Sequence, residues 1–212
     1  MRPKAVVRNI LKSRDRTAFL DWALNKGNFA GTLTSLLFDS DDLISFRAIE
    51  AFGWISAKKA ETDLESVREI IRRMLWGMND ESGICLWRAP EVIGEILVNV
   101  PELIPEYANI LAEHMNEEPF ERGTYSAMAR VARIKPGVYS AYSGELRKSL
   151  GNKDPYIRAS AVKILNNLNS SSGKAEIAKL IGDKTMVRVY NFTNGKFDEI
   201  TIGDLAETYI AG

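Results

Sequence analysis

Residues 46–55 read FRAIEAFGWI, and residues 87–96 read WRAPEVIGEI, at an offset of 41 residues. Six of the ten positions agree in kind between the two segments, and they include an arginine, an alanine, a glutamate and a glycine. An internal period of this length is typical of helical pairs that bury their apolar faces against neighbouring pairs. The repeat therefore predicts a stack of paired α-helices.

A second, shorter pair of segments extends the period. Residues 118–123 read EPFERG and residues 154–159 read DPYIRA; both contain an acid, a proline, an aromatic residue, an arginine and a small residue. Asp154 is a favourable N-cap, and the proline after it suits the first turn of a helix, where its missing N–H costs nothing. One arginine thus recurs at spacings of 41, 34 and 36 residues, at Arg47, Arg88, Arg122 and Arg158.

The pattern acid-Pro-x-x-Arg-small, followed by alanines at helical spacing, resembles the armadillo/HEAT repeat family. It is also similar to the shorter HEAT-like repeats of phycobilisome-lyase-type proteins. The resemblance covers roughly residues 30–170. It implies an all-α fold, a right-handed α–α superhelix or HEAT-like solenoid, which we expect to span residues 1–184.

The C-terminal residues change from a helical period to an alternating one. Residues 186–202 read MVRVYNFTNGKFDEITI, and Asn194-Gly195 between β-branched and aromatic residues predicts a β-hairpin with a type I′ turn. We expect residues 185–212 to form this hairpin and a short helix, packed as a cap on the final helix pair. The free edge of the hairpin is alternatively a docking edge for another strand.

The repeated arginines have two interpretations. They can present positive charge to an anionic partner, or they can brace the turns between repeats by pairing with nearby acids. The family resemblance implies the structural role. We therefore expect Arg88 and Arg158 to be largely buried and hydrogen-bonded to acids or backbone carbonyls near the repeat turns.

One helix face in the two matched segments carries aromatic and acidic residues. Helical spacing places them roughly opposite the alanine stripe, and adjacent repeats would bring the two sets side by side. Aromatic residues flanked by polar groups are typical of protein-binding surfaces. They are equally compatible with burial between repeats, where the glycines would allow close helix approach. The candidate binding residues are Phe46, Glu50, Trp54, Trp87, Glu91 and Glu95.

Composition excludes several functional classes. The chain has 28 basic and 28 acidic residues, and residues 61–121 alone carry a net charge of −10, which argues against a nucleic-acid binder. With one cysteine, Cys85, and one histidine, His114, we expect neither a disulfide nor a metal site. We identify no catalytic residues and no cofactor-binding motif. No signal peptide or membrane span is evident, so we expect a cytoplasmic protein.

These observations favour a non-enzymatic protein–protein interaction or scaffold module that uses the solenoid surface. Its partner would be a protein or peptide, and the hairpin edge would support a homo-oligomer. The alternative is a HEAT-like enzyme or enzyme accessory, either bilin-lyase-like with a hydrophobic ligand groove or DNA-glycosylase-like with a basic groove. The sign of the charge on the concave face discriminates between a DNA partner and a protein partner.

Overall fold

The computed structural model describes residues 2–25, 28–79, 85–168 and 171–211. This part of the chain is mostly helical and contains one two-stranded antiparallel sheet, as the sequence predicts. None of its helices is long and apolar enough to cross a membrane. The helices are α1 (Pro3–Ser13), α2 (Arg16–Asn25), α3 (Phe29–Leu36), α4 (Asp42–Ala60), α5 (Leu64–Trp76), α6 (Ala89–Asn99), α7 (Ile104–Glu113), α8 (Glu121–Ile134), α9 (Ser143–Ser149), α10 (Pro155–Asn166), α11 (Ser171–Ala178) and α12 (Ile202–Ala211), and the strands are β1 (Met186–Asn191) and β2 (Lys196–Thr201).

Four helices form a row in chain order, because α4 packs on α6, α6 on α8, and α8 on α10. We call these four helices the inner row. The helices between them in sequence, α5, α7 and α9, pack against their neighbours in the row, and α1, α2 and α3 pack on α4. The matched sequence segments lie in or just before the inner-row helices.

Helix α4 is enclosed on every side. Asp41 caps its N-terminus by accepting a hydrogen bond from the Leu43 N–H, and two lysines in its last turn suit the helix dipole. Every residue from 44 to 56 is buried. A helix buried all round must find internal partners for its polar side chains, here Arg47 and Glu50.

Helices α6 and α8 approach each other closely at Gly94. A Cβ atom added to Gly94 would lie 2.8 Å from the Cα of Ala127 in α8, closer than real Cβ contacts allow. A side chain at this position would therefore force the two helices apart. For Gly94, the structure supports the interpretation in which a glycine permits close helix approach.

Helix α6 begins later than the repeat predicts. The repeat aligns residues 87–96 with residues inside α4, but α6 begins at Ala89, and Trp87 and Arg88 lie in the turn before it. Pro90 occupies the first turn of α6, where a proline without an N–H is tolerated. Trp87 and its sequence counterpart in α4 therefore stand in different local structures.

The starts of the two later helices of the row also differ. Helix α8 begins at Glu121, two residues after the proline of the segment 118–123, following a turn in which the Phe120 N–H donates to the Glu117 carbonyl at 2.8 Å. Helix α10 begins as predicted, because the Asp154 side chain accepts a hydrogen bond from the first turn. The two proline-containing segments are thus similar in sequence, but only the second starts a helix at its proline.

The hairpin predicted over residues 186–202 is confirmed, with β1 and β2 antiparallel and in register from Met186–Thr201 to Asn191–Lys196. The predicted type I′ turn is wrong. Four residues, 192–195, connect the strands, and Gly195 is the only residue of this loop with a positive φ, +70°. The longer loop forms because the Asn191 side chain and carbonyl accept hydrogen bonds from loop N–H groups.

The C-terminal segment, meaning the hairpin and α12, packs on α10 and α11 as expected. It also reaches further than an end cap would. Tyr190 of the hairpin stacks on Phe46 of α4, and the hairpin loop contacts Arg14 at the end of α1. The expectation of a cap on the final helix pair is therefore too narrow: the hairpin lies along the inner row, because aromatic and cationic side chains there cover its aromatic residues.

Candidate functional site

Phe46 lies directly beneath the hairpin. Its ring stacks on Tyr190 with 4.9 Å between centroids and meets Phe197 edge-on at 5.3 Å. Tyr190 and Phe197 are a cross-strand pair. Phe192 packs edge-on against Tyr190 at 4.9 Å. Since each such aromatic pair contributes about 0.5–1.5 kcal/mol beyond the burial of its area, this cluster holds the hairpin firmly.

Two arginines hold the hairpin loop by its backbone. Arg14 ends α1 with a left-handed φ of 54° and donates to the carbonyls of Phe192 at 2.6 Å and Thr193 at 3.1 Å. Arg47 of α4 donates to the carbonyl of Gly195 at 3.1 Å and, through its other nitrogen, to carbonyls at the end of α1. Every residue type has a backbone carbonyl, so these contacts recognise the path of the chain rather than its side chains.

Glu50 fixes Arg14 in this position. Its side chain is buried and accepts hydrogen bonds from Nε of Arg14 at 3.0 Å and from Nη2 at 2.6 Å, a bidentate pair. These bonds raise the pKa of Arg14, which keeps the guanidinium charged. Burial, together with the neighbouring Glu50, raises the pKa of the Tyr190 hydroxyl, so it stays protonated.

Glu95 and Arg130 form a second buried pair under the hairpin. Arg130 donates to Glu95, Asn99 donates to the same carboxylate at 2.9 Å, and the ring of Phe192 lies 3.7 Å from the Arg130 guanidinium carbon. Burial raises the pKa of Glu95 to about 7 and lowers that of Arg130. The desolvation of two charges thus opposes the pair, and the hydrogen bonds and the aromatic contact offset it.

Arg88 lies between two aromatic rings. Its guanidinium carbon is 4.5 Å from the Phe46 ring centroid and 4.1 Å from that of Trp87. It also faces Asp42 and Glu91, each at 3.5 Å. Burial raises the pKa of Glu91 to about 7, because this long contact compensates only part of the desolvation.

The six predicted binding residues do not form one exposed surface. Phe46, Glu50, Trp54, Glu91 and Glu95 are all buried, and only Trp87 is exposed, at 39%. The first two contact the hairpin or its arginine partner, as described above. Trp54 packs instead against Phe19 of α2, with 6.1 Å between centroids, and Trp87 packs edge-on against Phe38. The chain therefore covers most of its own candidate surface.

The repeated arginines are placed as the structural interpretation predicts. Arg88 is buried, and Arg158 is largely buried, donating to the Asn152 carbonyl at 2.7 Å and to Asp183 at 3.0 Å. Arg122 is exposed and pairs with Asp154, the N-cap of the next inner-row helix. Arginines at the repeat turns thus connect adjacent helices.

Sequence reasoning missed Arg14, Arg130 and the aromatic residues of the hairpin. One available signal was the concentration of aromatic residues around the turn, at Tyr190, Phe192 and Phe197. A hairpin with aromatic residues on one side requires a surface to cover them. The sequence around Arg14 carries no comparable signal, because its role depends on a contact with a loop about 180 residues away.

The residues suited to metal or redox chemistry lie apart from this site. Among the residues that the structure describes, no group of three or more His, Cys, Asp or Glu side chains is arranged to hold a metal ion. His114 contacts Glu117 within a short turn, and Cys85 is exposed.

A pocket of about 290 Å³ lies beside the hairpin, between α8, α10 and α12. Its charged residues are Arg130, Arg133, Lys163 and Asp198, and hydroxyl groups and aromatic rings form much of the remaining wall. Arg130 belongs both to this wall and to the pair with Glu95. The pocket is therefore contiguous with the surface that holds the hairpin.

No protein family model matches the chain. An uncharacterized protein of Archaeoglobus fulgidus is 29% identical over 119 residues, which are 56% of this chain and 62% of that protein. The chain thus spans less than two thirds of this relative. Among solved structures, the crystal structure of an engineered protein from the Northeast Structural Genomics Consortium is similar, with a TM-score of 0.59 and 16% sequence identity over 98% of this chain and 88% of that one. This likeness extends to the fold alone.

Proposed function

We propose that the chain is a non-enzymatic protein-interaction module whose inner row, arranged as a short right-handed HEAT-like solenoid, holds an extended segment of a protein partner. The observation that carries this proposal is the set of contacts by which the inner row and Arg14 hold the chain's own hairpin. Arg14 and Arg47 donate to three hairpin carbonyls, and Phe46 stacks on Tyr190. A surface that holds one hairpin and its loop in this way has the contacts needed to hold a partner segment of similar shape.

The partner segment that fits this surface shares two features with the hairpin. It presents backbone carbonyls to Arg14 and Arg47, and it carries two aromatic residues two positions apart. The first of these would take the place of Tyr190 on Phe46, and the second would stack on the Arg130 guanidinium. Backbone contacts would supply affinity and the aromatic positions would supply specificity.

The hairpin competes with such a partner because it is part of the same chain. Tethering gives it an effective concentration on the order of millimolar, so an external segment must overcome that local excess. The full chain would therefore bind its partner weakly until the hairpin is displaced. Weakening the hairpin without disturbing the inner row should increase the affinity for an external segment.

The substitution Tyr190→Ala tests this in the full chain, since it removes the ring that stacks on Phe46. A fluorescently labelled peptide of residues 186–201 is titrated with each protein and followed by anisotropy. We expect the variant to bind the peptide at least about tenfold more tightly than the unmodified chain. Tyr142→Ala is the matched control, because Tyr142 packs on Tyr139 and lies outside the hairpin contacts. Equal peptide affinities for the two variants would contradict the proposal.

A second copy of the chain is another source of the same segment. Within the described residues, each strand of the hairpin has only the other as its partner, so its outer edges remain available for pairing. We include a homo-oligomer through this edge in the proposal. Light scattering over a range of protein concentrations measures it directly.

The HEAT-like enzyme alternatives have less support. A DNA-glycosylase-like groove needs unpaired positive charge, but Arg14 and Arg130 are paired with Glu50 and Glu95. We expect no appreciable affinity for duplex DNA at physiological salt, and micromolar binding in a fluorescence titration would show this to be wrong. A bilin-lyase-like role needs an apolar groove, and the hairpin already covers the aromatic surface around Phe46.

A further inference from the structure

The pocket beside the hairpin brings three cationic side chains together. Arg130 and Arg133 extend from α8, and Lys163 extends from α10. Arg130 is paired with Glu95. The side-chain nitrogens of Arg133 and Lys163 have no hydrogen-bond or ion-pair partner in the described part of the chain. The pocket thus carries two positive charges without a direct counter-charge.

The acidic residue that lines the pocket does not neutralise them. Asp198 is exposed and accepts a hydrogen bond from the Asn191 side chain at 2.7 Å. The negative charge of Asp198 acts on Lys163, but the two groups form no ion pair. The partial burial of Lys163 lowers the pKa of its side chain. Converging like charges in a partly enclosed site create a positive potential that favours an anion.

The remaining walls supply hydroxyl groups and rings. Ser160 is buried at the wall, and the Tyr156 hydroxyl donates to Ser126 at 3.3 Å. The rings of Tyr156 and Tyr209, with Ile200, provide apolar surface. A few convergent polar groups in a mostly apolar recess are typical of a small-molecule site.

We propose that this pocket binds a small phosphate monoester with an aromatic or apolar body. The doubly charged phosphate matches the two unpaired cations, Lys163 and Arg133, and can accept hydrogen bonds from the serine hydroxyls. The apolar body lies against the tyrosine rings. The volume of about 290 Å³ accommodates a small molecule of this kind.

The hairpin supplies part of this site. Residues 189–193 of β1 and its loop, and Asp198 and Ile200 of β2, line the pocket. A ligand that binds only when the hairpin is docked stabilises the docked state by mass action. Ligand binding would therefore raise the melting temperature of the full chain. The site does not depend on the proposed partner segment, so the two proposals can fail separately.

Isothermal titration calorimetry of the full chain with phenyl phosphate tests the proposal. We expect a Kd below about 1 mM, with inorganic phosphate binding more weakly because it lacks the apolar body. Lys163→Met should weaken phenyl phosphate binding by about tenfold or more. Lys135→Met is the matched control, because Lys135 is exposed just after α8 and does not line the pocket.

A second variant distinguishes loss of a binding contact from a folding defect in Lys163→Met. Arg133 is exposed, so Arg133→Gln should leave the melting temperature unchanged and still weaken phenyl phosphate binding. A third experiment measures the binding of the chain to vesicles that contain phosphatidic acid. Vesicle binding that Lys163→Met weakens would identify the phosphate monoester as a lipid headgroup. No binding of phenyl phosphate or vesicles, or equal affinities for the unmodified chain and both pocket variants, would overturn the proposal.

Discussion

Two regions of the molecule use the same arginine–glutamate chemistry in different surroundings. In the pairs made by arginines of α5 the glutamates are exposed, whereas under the hairpin the glutamates are buried. The exposed pairs are Arg68–Glu106, Arg72–Glu65 and Arg73–Glu69, and the buried pairs are Arg14–Glu50 and Arg130–Glu95.

The two regions differ in whether their ion pairs define a specific binding surface. Exposed pairs are screened by water and salt and contribute little to stability. Buried pairs must offset the desolvation of both charges, so they are tolerated only in well-defined hydrogen-bonded arrangements. Under the hairpin, the same arginines also contact the hairpin backbone or an aromatic ring. The buried pairs therefore define a surface for an extended segment, and the pairs on α5 do not.

The largest expected effect follows from removing one member of a buried pair. Glu50→Ala leaves Arg14 without its carboxylate beneath the hairpin and should destabilise the fold by about 2–4 kcal/mol. The comparison variant, Glu65→Ala, removes an exposed carboxylate and should leave the denaturation midpoint nearly unchanged. Urea denaturation followed by circular dichroism measures both. Similar midpoints for the two variants would remove the distinction between the regions.

Close helix packing should be almost as sensitive. Gly94→Ala places a methyl group against the Ala127 backbone and should destabilise the fold by about 2–3 kcal/mol. Gly144→Ala in α9 is the matched control, because nothing lies within 4 Å of the added Cβ atom. Its higher helix propensity should stabilise the chain slightly. A neutral Gly94→Ala variant would mean that α6 and α8 do not need this close contact.

The repeated arginines provide a comparison within one structural motif. Arg158→Ala should destabilise the fold by about 1–3 kcal/mol, because the Asn152 carbonyl and Asp183 lose their donor. Arg122→Ala should have a smaller effect, since the Arg122 side chain is 67% exposed. Thermal unfolding of both variants tests this. A larger destabilisation by Arg122→Ala than by Arg158→Ala would show that burial does not determine how much these arginines contribute to stability.

The pH dependence of Glu91 sharpens the comparison further. Its pKa lies at about 7 in the folded chain against an ordinary 4.5, so its protonated form favours folding and that stability is lost as the pH rises through this range. Glu91→Gln cannot ionise and should therefore be more stable than the unmodified chain by up to about 3 kcal/mol at pH 8. At pH 4.5 the difference should become small. Denaturant midpoints at the two pH values measure the change, and an identical difference at both would refute the raised pKa.

Local patterns in the sequence predicted the helical pairs, the N-cap at Asp154 and the hairpin. These features depend on helical spacing, capping and β-propensity over short segments. The structural role of Arg88 and Arg158 was implied by the family resemblance. The contacts of the hairpin with Phe46 and Arg14 were not predictable in the same way, because they join residues that are far apart in sequence. The sequence therefore identified the candidate helix face, but it did not predict that the hairpin covers this face.

Native-state hydrogen exchange of the unmodified chain tests most directly whether the hairpin is a separable occupant of the inner row. We predict that the paired amides of β1 and β2 exchange through an opening that requires less free energy than global unfolding, while the amides of α4, α6 and α8 exchange only through global unfolding. Low concentrations of denaturant distinguish the two processes. Hairpin amides that exchange only together with those of α4 would contradict the account, because the hairpin would then be an inseparable part of the core.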